Sequence, residues 1–510
     1  MRRTDRAAVR RPGLRRPDHR FDRVWGARLA EVARALGQPS PSSEAIAARD
    51  LGAAVLPFLG DGDRSRVWLV LSVLCGAMPT DRELIEVCRD LEFDAGARLV
   101  EHVLRHTTEA SSTRRVRVVS GATVVDVSAT LRMPFTTGIQ RVVRESASRW
   151  VAGDRSIPVS WTPDFQAIRE LTPAERTLLD ERLPAEREDI PPERPGTAVL
   201  VPWQSTYLTG EVLAEIDRAE RVRTLAQYAR CRTGFIVYDL IPVSAPETLR
   251  TWEEDSFAHH LTALRESDRL VAISRSSADE YRGWRSMLAA VGRPGPTITS
   301  ATLPATVPPS DENTLALARQ RFVVGGLPLV LVVGSAEPRK NHLPILHAAE
   351  VLWRRGLRFS LTFIGGRSWG GTEFDATLAA LQAAERPIER ATGITDEFMY
   401  AAYRLARFTM FPSLTEGYGL PVAESLAVGT PVITSGFGSM AEIADRGALL
   451  VDPRDDESIL SAMEALLTDD GLLQRLRDEA KGRPTSSWQD YAERCWSLLT
   501  DPDSPGDDVA

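Results

Sequence analysis

The spacing of hydrophobic and polar residues divides the chain into a helical first part and a longer part in which strands alternate with helices. Residues 22–107 carry apolar side chains at helical spacing, as in FDRVWGARLAEVARALG, which ends at a glycine. Further helices are predicted to begin near Ser43, Asp63 and Thr80, because these residue types cap helix N-termini. No catalytic grouping is evident in this module, so packing, docking or oligomerisation is its expected role.

The period of the pattern changes after residues 107–115 (TTEASSTRR), which are predicted to form a linker. Short β-rich runs then recur with helical stretches between them, among them TAVLVPW, TGFIVYDLIP and RLVAIS. After a Pro- and Gly-rich connection at 292–314 the alternation restarts, with LPLVLVVGSA, FSLTFIGG and TPVITS as strands. This alternation implies parallel sheets, so the sequence predicts an α/β fold with two tandem Rossmann-like domains facing across a cleft.

These patterns also predict where each part of the chain begins and ends. The predicted parts are a disordered basic tail (1–21), a helical N-terminal module (22–107), a first Rossmann-like domain (116–310), a second Rossmann-like domain (311–482), a C-terminal helix that packs back on the first domain (483–500) and a disordered acidic tail (501–510). The binding site is expected in the cleft, at the carboxyl ends of the strands.

Composition disfavours several classes of function. The 510 residues are 43% hydrophobic and 26% charged, which is typical of a soluble globular protein. The net charge of −8 disfavours nucleic acid as the partner, because phosphate binding needs a basic surface. The apolar stretch at 67–78 is too short to cross a bilayer. The protein is therefore expected in the cytoplasm, with at most peripheral contact at the inner face of the membrane.

The positions of the cysteines and histidines in the sequence do not predict a metal site. The four cysteines, at 75, 88, 231 and 495, are scattered and are expected to be buried or free thiols in a reducing compartment. They form no Cys-x-x-Cys pair, and the spacing of the histidines is taken to indicate no metal site. The expectation is that the protein needs no metal ion and no other cofactor.

The stretch FPSLTEGYGLPVAESLAVGTPVI, at 411–433, combines a helix start with two carboxylates. Gly417 and Gly419 permit close approach of the backbone to a ligand, and the free amides of the first turn, at Val422 and Ala423, are expected to favour an anion. Its two acids, eight positions apart, are Glu416 in the loop and Glu424 in the helix.

That spacing predicts two separate tasks for the glutamates rather than an acid–base pair. Ionised carboxylates accept hydrogen bonds from sugar hydroxyls, so a diphosphate flanked by two sugars would fit this stretch. The alternative is that both glutamates merely stabilise the helix N-terminus electrostatically.

A second stretch, VVGSAEPRKNH, places Arg339 and Lys340 between a predicted strand and a helix. Lys340 is one of only two lysines, the other being Lys481, although the chain has 62 Lys and Arg residues. Its retention favours a position that prefers a compact ammonium, such as one between phosphate oxygens. The alternative is a solvated basic helix start. In a third stretch, PFTTGIQRVVRE, Gly138 lies in a strand-to-helix loop of the same phosphate-facing kind.

Together these stretches resemble the retaining glycosyltransferases of family 4, which have the GT-B fold of two Rossmann-like domains. EGYGLPVAE is similar to the family's Glu-x7-Glu motif, and the other resembling stretches follow the family's order: TGIQRVVRE, YDLIPVSAPE, VAISRSSADEY, VGSAEPRKN, FIGGRSWGG and SWQDYA. The resemblance extends over 116–499 and is to the branch that contains O-antigen mannosyltransferases.

The resemblance implies an activity. A hexose would pass from a nucleotide-diphosphate sugar, with GDP-mannose as the first guess, to the hydroxyl of a glycan, a lipid-linked or a small-molecule acceptor, without a metal. The first domain would bind the acceptor and the second the nucleotide sugar. Two other possibilities stay open, a non-catalytic partner subunit with this fold and a nucleotide-sugar epimerase.

The resemblance also implies roles for particular residues. Lys340, with Arg339 beside it, would hold the donor diphosphate. Glu424 would hold the nucleotide ribose, and Glu416 would contact the transferred sugar. Gly138 would approach the phosphate from across the cleft. The remaining contacts implied are backbone ones, to the sugar from Gly417, Tyr418, Gly419 and Leu420, and to the base from Ile394.

Two positions depart from the family pattern. Ser335 stands where members often have arginine, and Arg339 is expected to replace that charge. Tyr238 stands where many members have histidine, which leaves two interpretations of the next residue, Asp239. It would either orient the acceptor hydroxyl or cap the following turn. With Glu416, Lys340 and Arg339, Asp239 completes the set of residues expected to be catalytic.

Overall fold

The computed structural model describes residues 21–41, 44–60, 62–94, 96–107, 109–133, 138–180, 197–248, 251–366, 371–483 and 486–501. The two predicted tails, apart from their residues 21 and 501, lie outside the described residues, as do Ser43 and residues 367–370 of the FIGGRSWGG stretch. The described chain forms a helical region followed by two α/β domains.

Two of the three predicted helix starts in the helical region are confirmed, at Asp63 and Thr80, whereas the helix predicted to begin near Ser43 begins at Leu51. The side chain of Asp63 accepts a hydrogen bond from the backbone N–H of Ser65, and the carboxylate of Glu83 accepts from the N–H and hydroxyl of Thr80. The helices are α1 (Asp22–Ala35), α2 (Leu51–Leu59), α3 (Arg64–Cys75), α4 (Asp81–Asp94), α5 (Ala97–His106) and α6 (Glu109–Thr113).

This region packs directly on the first α/β domain, which differs from the predicted linker. Helix α6 occupies most of that stretch, and the guanidinium of Arg28 donates to the carbonyl oxygen of Ser111. One hydrophobic core contains Trp68 of α3 together with Phe235 of the first sheet. The indole N–H of Trp68 donates to the hydroxyl of Thr224, 3.4 Å away. The buried contact makes the helical region an extension of that domain.

In the described residues, nine strands form the first sheet, in the order β1-β5-β4-β3-β2-β6-β7-β8-β9. They are β1 (Val116–Val119), β2 (Thr123–Asp126), β3 (Ile157–Trp161), β4 (Ile168–Glu170), β5 (Val199–Pro202), β6 (Thr206–Thr209), β7 (Arg232–Val237), β8 (Arg269–Ala272) and β9 (Thr297–Ser300). The sheet is mixed rather than parallel throughout, because β4 runs antiparallel to β3 and β5. β9 lies within the predicted interdomain connection, which therefore begins only after this strand.

Helices flank the first sheet and present their N-termini near the carboxyl ends of its strands. They are α7 (Ser128–Arg132), α8 (Gly138–Val151), α9 (Pro173–Asp180), α10 (Ile216–Tyr228), α11 (Ile241–Ser244), α12 (Thr251–Leu264) and α13 (Arg275–Ala290). The hydroxyl of Ser274 caps α13 by accepting from the N–H of Ser277. The strand order reverses between β2 and β6, which places the topological switch point of this domain there.

In the second domain, the described strands form a six-stranded parallel sheet in the order β12-β11-β10-β13-β14-β15. They are β10 (Leu329–Val333), β11 (Ser360–Ile364), β12 (Ile388–Ala391), β13 (Phe408–Phe411), β14 (Val432–Ser435) and β15 (Ala448–Val451). Numbered from its first strand, this order is the Rossmann order, with the switch point between β10 and β13. β10 and β13 are buried along their whole length, as apolar strands covered on both faces must be.

The helices of the second domain cover both faces of its sheet. They are α14 (Glu312–Phe322), α15 (His342–Arg354), α16 (Thr372–Ala383), α17 (Asp396–Leu405), α18 (Leu420–Ala427), α19 (Gly438–Ile443), α20 (Asp456–Thr468) and α21 (Asp470–Lys481). The last helix, α22 (Trp488–Thr500), lies on the first domain, where Ala492 accepts a hydrogen bond from the indole N–H of Trp150 at 2.8 Å.

The cysteines and the helix lengths agree with the sequence patterns. Cys75, Cys231 and Cys495 are buried, Cys88 is half-buried, and all four are free thiols. None of the helices in the described residues has the length and apolar character needed to cross a bilayer.

Candidate active site

The loops after β10 and β13 are tied together at the switch point of the second sheet. After β10 the chain makes a short 3-10 turn, and Asn341 then adopts a left-handed backbone conformation before α15. The amide of Asn341 donates to the carbonyl oxygen of Pro412 at 3.1 Å, and the N–H of Leu414 donates to the carbonyl oxygen of Arg339 at 2.8 Å. These bonds fix the two predicted stretches against each other at the edge where doubly wound sheets bind ligands.

The carboxylate of Glu416 lies between the two predicted cations. The Nζ of Lys340 is 2.5 Å from Oε1 of Glu416, and a guanidinium nitrogen of Arg339 is 2.6 Å from Oε2. Only 8% of the Glu416 side chain is exposed. Burial opposes its ionisation, but Lys340 and Arg339 outweigh burial and hold the pKa of Glu416 below its usual value. The structure thus joins residues that the sequence placed in separate stretches.

Ser335 contributes through its neighbour rather than through charge. Its hydroxyl donates to Oε1 of Glu337 at 2.5 Å, and the other oxygen of Glu337 is 2.8 Å from Arg339. Arg339 is therefore held between the carboxylates of Glu337 and Glu416. This position fits the expectation that Arg339 supplies the charge that Ser335 lacks.

Gly417 allows the two domains to meet at this site. A Cβ added to Gly417 would lie 2.8 Å from Oδ2 of Asp239, so a larger residue would displace the carboxylate. The carbonyl oxygen of Gly417 accepts hydrogen bonds from the hydroxyls of Ser274 and Ser277, at 2.7 and 3.0 Å. Asp239 and both serines belong to the first domain, so the loop before α18 lies against that domain.

The start of α18 also faces the first domain. Gly419 has a φ of 107°, which favours glycine, and it precedes the first residue of the helix, Leu420. A Cβ built on Gly138, at the start of α8, would lie 3.6 Å from a methyl carbon of Leu420. The hydroxyl of Tyr418 donates to the carbonyl oxygen of Leu303 at 2.6 Å. The structure therefore brings Gly138 and the Gly417–Leu420 segment together across the cleft.

One prediction about the start of α18 is wrong. The amides of Val422 and Ala423, expected to be free, donate to the carbonyl oxygen of Gly419 at 2.9 and 3.2 Å. The short first turn uses both groups, because the left-handed Gly419 directs its carbonyl along the helix. Positive charge for an anion at this site comes instead from the side chains of Lys340 and Arg339.

Asp239 makes the contact expected of a turn cap. Its Oδ1 accepts a hydrogen bond from the N–H of Ile241, the first residue of α11, at 3.2 Å. Burial raises the pKa of Asp239 to about 6, although Arg339 acts in the opposite direction. The neighbouring Tyr238 is buried, and its hydroxyl donates to the carbonyl oxygen of Gly210 at 2.6 Å. Capping the turn leaves Oδ2 of Asp239 directed at the Gly417 loop.

Replacing Asp239 by asparagine is expected to stabilise the protein at neutral pH. The folded state raises the pKa from its ordinary value of 3.8 to about 6, so it holds the proton more tightly than the unfolded state does. The stability of the parent protein therefore falls as the pH rises through this window, and an uncharged side chain removes that loss. One pKa unit corresponds to about 1.4 kcal/mol, so the gain at neutral pH is at most about 3 kcal/mol.

Urea denaturation of the parent and of Asp239→Asn across this pH window measures the difference. The advantage of the variant should grow as the pH rises and disappear at the acid end. The matched control is Asp279→Asn, because the side chain of Asp279 is 73% exposed and should give a small, flat difference. An Asp239→Asn variant that is less stable at neutral pH than at acid pH, relative to the parent, would contradict this account.

Glu424 is buried, and its carboxylate accepts hydrogen bonds from side chains of both domains. A guanidinium nitrogen of Arg141 is 2.9 Å from its Oε1, and the hydroxyls of Tyr400 and Tyr403 lie 3.4 and 3.3 Å from its two oxygens. Burial raises the pKa of Glu424, and Arg141 opposes that shift. The Arg141 guanidinium also lies 5.6 Å from the ring centroid of Trp488. Each glutamate of the motif is therefore paired with a cation.

Sequence reasoning missed Arg141 and the two tyrosines. Arg141 lies in the quoted stretch TGIQRVVRE and in the first turn of α8, where a cation is unfavourable unless an anion faces it. That signal could have found Arg141. Tyr400 and Tyr403, three residues apart on α17, carry no comparable signal, because aromatic residues at helical spacing usually pack in a core.

The predicted base contact, Ile394, lies half-buried in the loop before α17, where it packs against the core that includes Tyr403.

A buried charge network also escaped the sequence analysis. Arg218, which is fully buried, contacts the carboxylates of Asp126 and Glu211 at 2.8 and 2.6 Å. Asp126 additionally accepts hydrogen bonds from the hydroxyl of Tyr207 at 2.5 Å and from the indole N–H of Trp161 at 2.8 Å. These groups lie at the carboxyl ends of β2 and β6, below the switch point of the first sheet. They fix the strands that form the first domain's side of the cleft.

The sequence and the fold of this chain are similar to those of known glycosyltransferases. Residues 317–483 match the family described as glycosyl transferases group 1. The second α/β domain is therefore similar to the group 1 glycosyltransferases. The serotype-specific mannosyltransferase WbdA of Escherichia coli is 29% identical to it over 360 residues, which cover 67% of this chain and 42% of WbdA. The O-antigen chain mannosyltransferase B of Escherichia coli is 30% identical over 154 residues, covering 30% of this chain and 40% of that relative.

These relatives confirm the predicted resemblance to the mannosyltransferase branch of glycosyltransferases. The chain spans about two fifths of the length of the WbdA relatives that it matches. Among solved structures, Anabaena HepE in complex with UDP and glucose aligns with a TM-score of 0.53 at 12% identity, covering 75% of this chain and all of HepE. That likeness, with the two facing α/β domains, confirms the predicted GT-B fold.

Proposed function

We propose that this glycosyltransferase moves a hexose from a nucleotide-diphosphate sugar to an acceptor hydroxyl, with retention of configuration. The observation that carries the proposal is the cluster of Lys340, Arg339 and Glu416 at the switch point of the second sheet. It places two cations and one carboxylate where a donor would present its diphosphate and its sugar hydroxyls. The glycosyltransferase names of the relatives support the same reaction class.

The cations have capacity for phosphate beyond their contacts with Glu416. The ammonium of Lys340 has three N–H donors and the guanidinium of Arg339 has five. Glu416 makes one contact with each of these side chains. Remaining donors on Lys340 and Arg339 would stabilise the charge that develops on a departing diphosphate. Glu416 holds both cations in place and would accept from the hydroxyls of the transferred sugar. In a front-side mechanism, the departing phosphate itself takes the acceptor proton, and no metal ion is needed.

Glu424 would receive the ribose when the cleft opens. Its present partner, Arg141, belongs to the first domain, so separation of the domains removes that cation from the carboxylate. Ribose hydroxyls, which donate hydrogen bonds, would then replace it. Ile394 would offer its backbone to the base, and Gly138 would approach the phosphate as the domains close.

Mannose is the sugar that we propose, with GDP-mannose as the donor, because WbdA and the O-antigen chain enzyme are named mannosyltransferases. The acceptor would be the hydroxyl of a glycan, of a lipid-linked sugar or of a small molecule. It would enter from the first domain, where the Oδ2 of Asp239 faces the Gly417 loop. Contact at the inner face of the membrane would bring the protein to a lipid-linked acceptor.

A nucleotide that occupies this donor site is expected to raise the melting temperature of the protein. GDP, UDP, ADP and dTDP are tested separately, each in large excess. At about 100 times its dissociation constant, a ligand stabilises the native state by roughly 2.7 kcal/mol. We expect the shift with GDP, and we expect Glu424→Ala to remove it because the ribose loses its acceptor.

Glu464→Ala is the matched control, because Glu464 lies on α20 and pairs with the half-exposed Arg355. It should keep the full nucleotide shift. A shift with UDP alone would replace GDP-mannose by a UDP-sugar as the donor. No shift with any nucleotide, or an equal shift in Glu424→Ala, would contradict the proposed donor site.

A further inference from the structure

A cavity of about 90 Å³ lies between the helical region and the first α/β domain. Cys75 from the end of α3, Glu83 from α4, and His102 and His106 from α5 all line it. One of the contacts across the junction beside it is the hydrogen bond from Arg221 to the carbonyl oxygen of Met78, 3.0 Å long. The cavity thus gathers ligand-type side chains at the point where the helical region meets the domain.

The two histidines that line the cavity are neighbours on α5. They lie one turn apart on α5, with their ring centroids 4.1 Å apart. The Nδ1 of His106 is 3.0 Å from the carbonyl oxygen of His102. A carbonyl can only accept, so Nδ1 must carry the hydrogen, and the Nε2 of neutral His106 presents a lone pair. This orientation by a backbone carbonyl is the usual outer support of a metal-binding histidine.

Glu83 completes the group from the neighbouring helix. Its Oε2 accepts from the N–H and hydroxyl of Thr80, at 2.8 and 2.9 Å, which fixes the side chain. Its Oε1 is 3.4 Å from the Nε2 of His106. The two atoms need a positive charge between them, which either a proton on Nε2 or a metal ion supplies. Ligand atoms around a tetrahedral zinc ion with bonds of about 2.0 Å are roughly 3.3 Å apart, which matches this separation.

We propose that Glu83, His102 and His106 bind a zinc ion. The fourth coordination position would face the part of the cavity that Cys75 lines. One ligand atom from each of the three residues lies within 4.8 Å of the others. Two imidazoles and a carboxylate are ligands that suit Zn²⁺. The site joins α4 to α5 and is separate from the donor site. The expectation that the protein needs no metal ion did not consider these two histidines, which lie four residues apart on one helix.

The test uses the full chain, stripped of metal with a chelator and titrated with Co²⁺ and then Zn²⁺. We expect one equivalent of Co²⁺ to give the intense visible absorption of a tetrahedral site, and Zn²⁺ to displace it. His106→Gln and Glu83→Gln should each weaken Co²⁺ binding at least tenfold. The control is His347→Gln, because His347 is exposed on α15 and should leave binding unchanged.

Parent protein that gives no tetrahedral absorption with Co²⁺ would overturn the proposal, whatever the variants do. Equal affinity of the parent and His106→Gln would overturn it as well. Circular dichroism of the metal-free variants separates loss of a ligand from loss of the fold. Zn²⁺ should also raise the melting temperature of the parent and of His347→Gln, but not that of His106→Gln.

Discussion

Replacing Lys340 by alanine is expected to slow sugar transfer by about tenfold to a few hundredfold. A hydrogen bond to a charged group contributes about 1.5–3 kcal/mol, and each 1.4 kcal/mol of transition-state stabilisation changes the rate about tenfold. The ammonium of Lys340 lies 2.5 Å from Glu416, at the place where the leaving diphosphate would develop charge. The variant keeps the contact between Arg339 and Glu416, so the loop geometry should survive. Steady-state rates with the donor identified by thermal shift measure the effect.

The chain provides a matched control in its other lysine. Lys481 is exposed at the end of α21, so Lys481→Ala should transfer sugar at the parent rate. Lys340→Arg should recover only part of the activity, because a planar guanidinium does not reproduce a compact ammonium between phosphate oxygens. Unchanged turnover in a folded Lys340→Ala enzyme would refute the role proposed for this residue.

Replacing Arg218 by methionine is expected to reduce the free energy of unfolding by about 3–5 kcal/mol. The substitution leaves the carboxylates of Asp126 and Glu211 without their cation in a site where all three side chains are at most 1% exposed. Removing one partner of a buried ion pair costs this much because the remaining charge is uncompensated. Protonation can replace the missing cation, so the loss should be smaller at acid pH. Chemical denaturation at neutral and acid pH measures both effects.

Arg82→Met is the control for this substitution. The side chain of Arg82 is 87% exposed and pairs with Glu86 on the surface of α4, so its loss should hardly change the stability. An Arg218→Met protein as stable as Arg82→Met at neutral pH would show that the network contributes little.

Cations lie beside both glutamates of the EGYGLPVAE stretch. Two ionised glutamates near the start of α18 would repel a diphosphate if no cation accompanied them. In the structure, Glu416 is neutralised by Lys340 and Arg339, and Glu424 by Arg141. The acids therefore position cations, and the site has positive charge available for a donor.

Local patterns predicted much of this protein. Buried apolar runs located the strands around the switch point, and glycine and proline located the start of α18. The stretches holding Lys340 and Glu416 could be assigned to loops at strand ends, because loop position depends mainly on the alternation of strands and helices. The GT-B fold followed from the same alternation and from the ordered family-like stretches.

Contacts between distant parts of the chain could not be predicted in this way. Pairing of Arg141 with Glu424 joins residues 283 positions apart, and the antiparallel β4 enters the first sheet between β3 and β5. The occupied amides of Val422 and Ala423 depend on one φ angle at Gly419. These three features depend on which surfaces meet after folding, and the periodicity of the sequence does not specify which surfaces meet.

The sequence by itself determined the element types, the two-domain architecture and the loops that carry the proposed site, because these depend on local periodicity and turn chemistry. Only the tertiary structure decided which charges face each other. Buried charges select partners from any part of the chain that brings an opposite charge close enough to offset desolvation. For this reason the cluster around Glu416, the network of Arg218 and the group formed by Glu83 with His102 and His106 became visible only once the chain was folded.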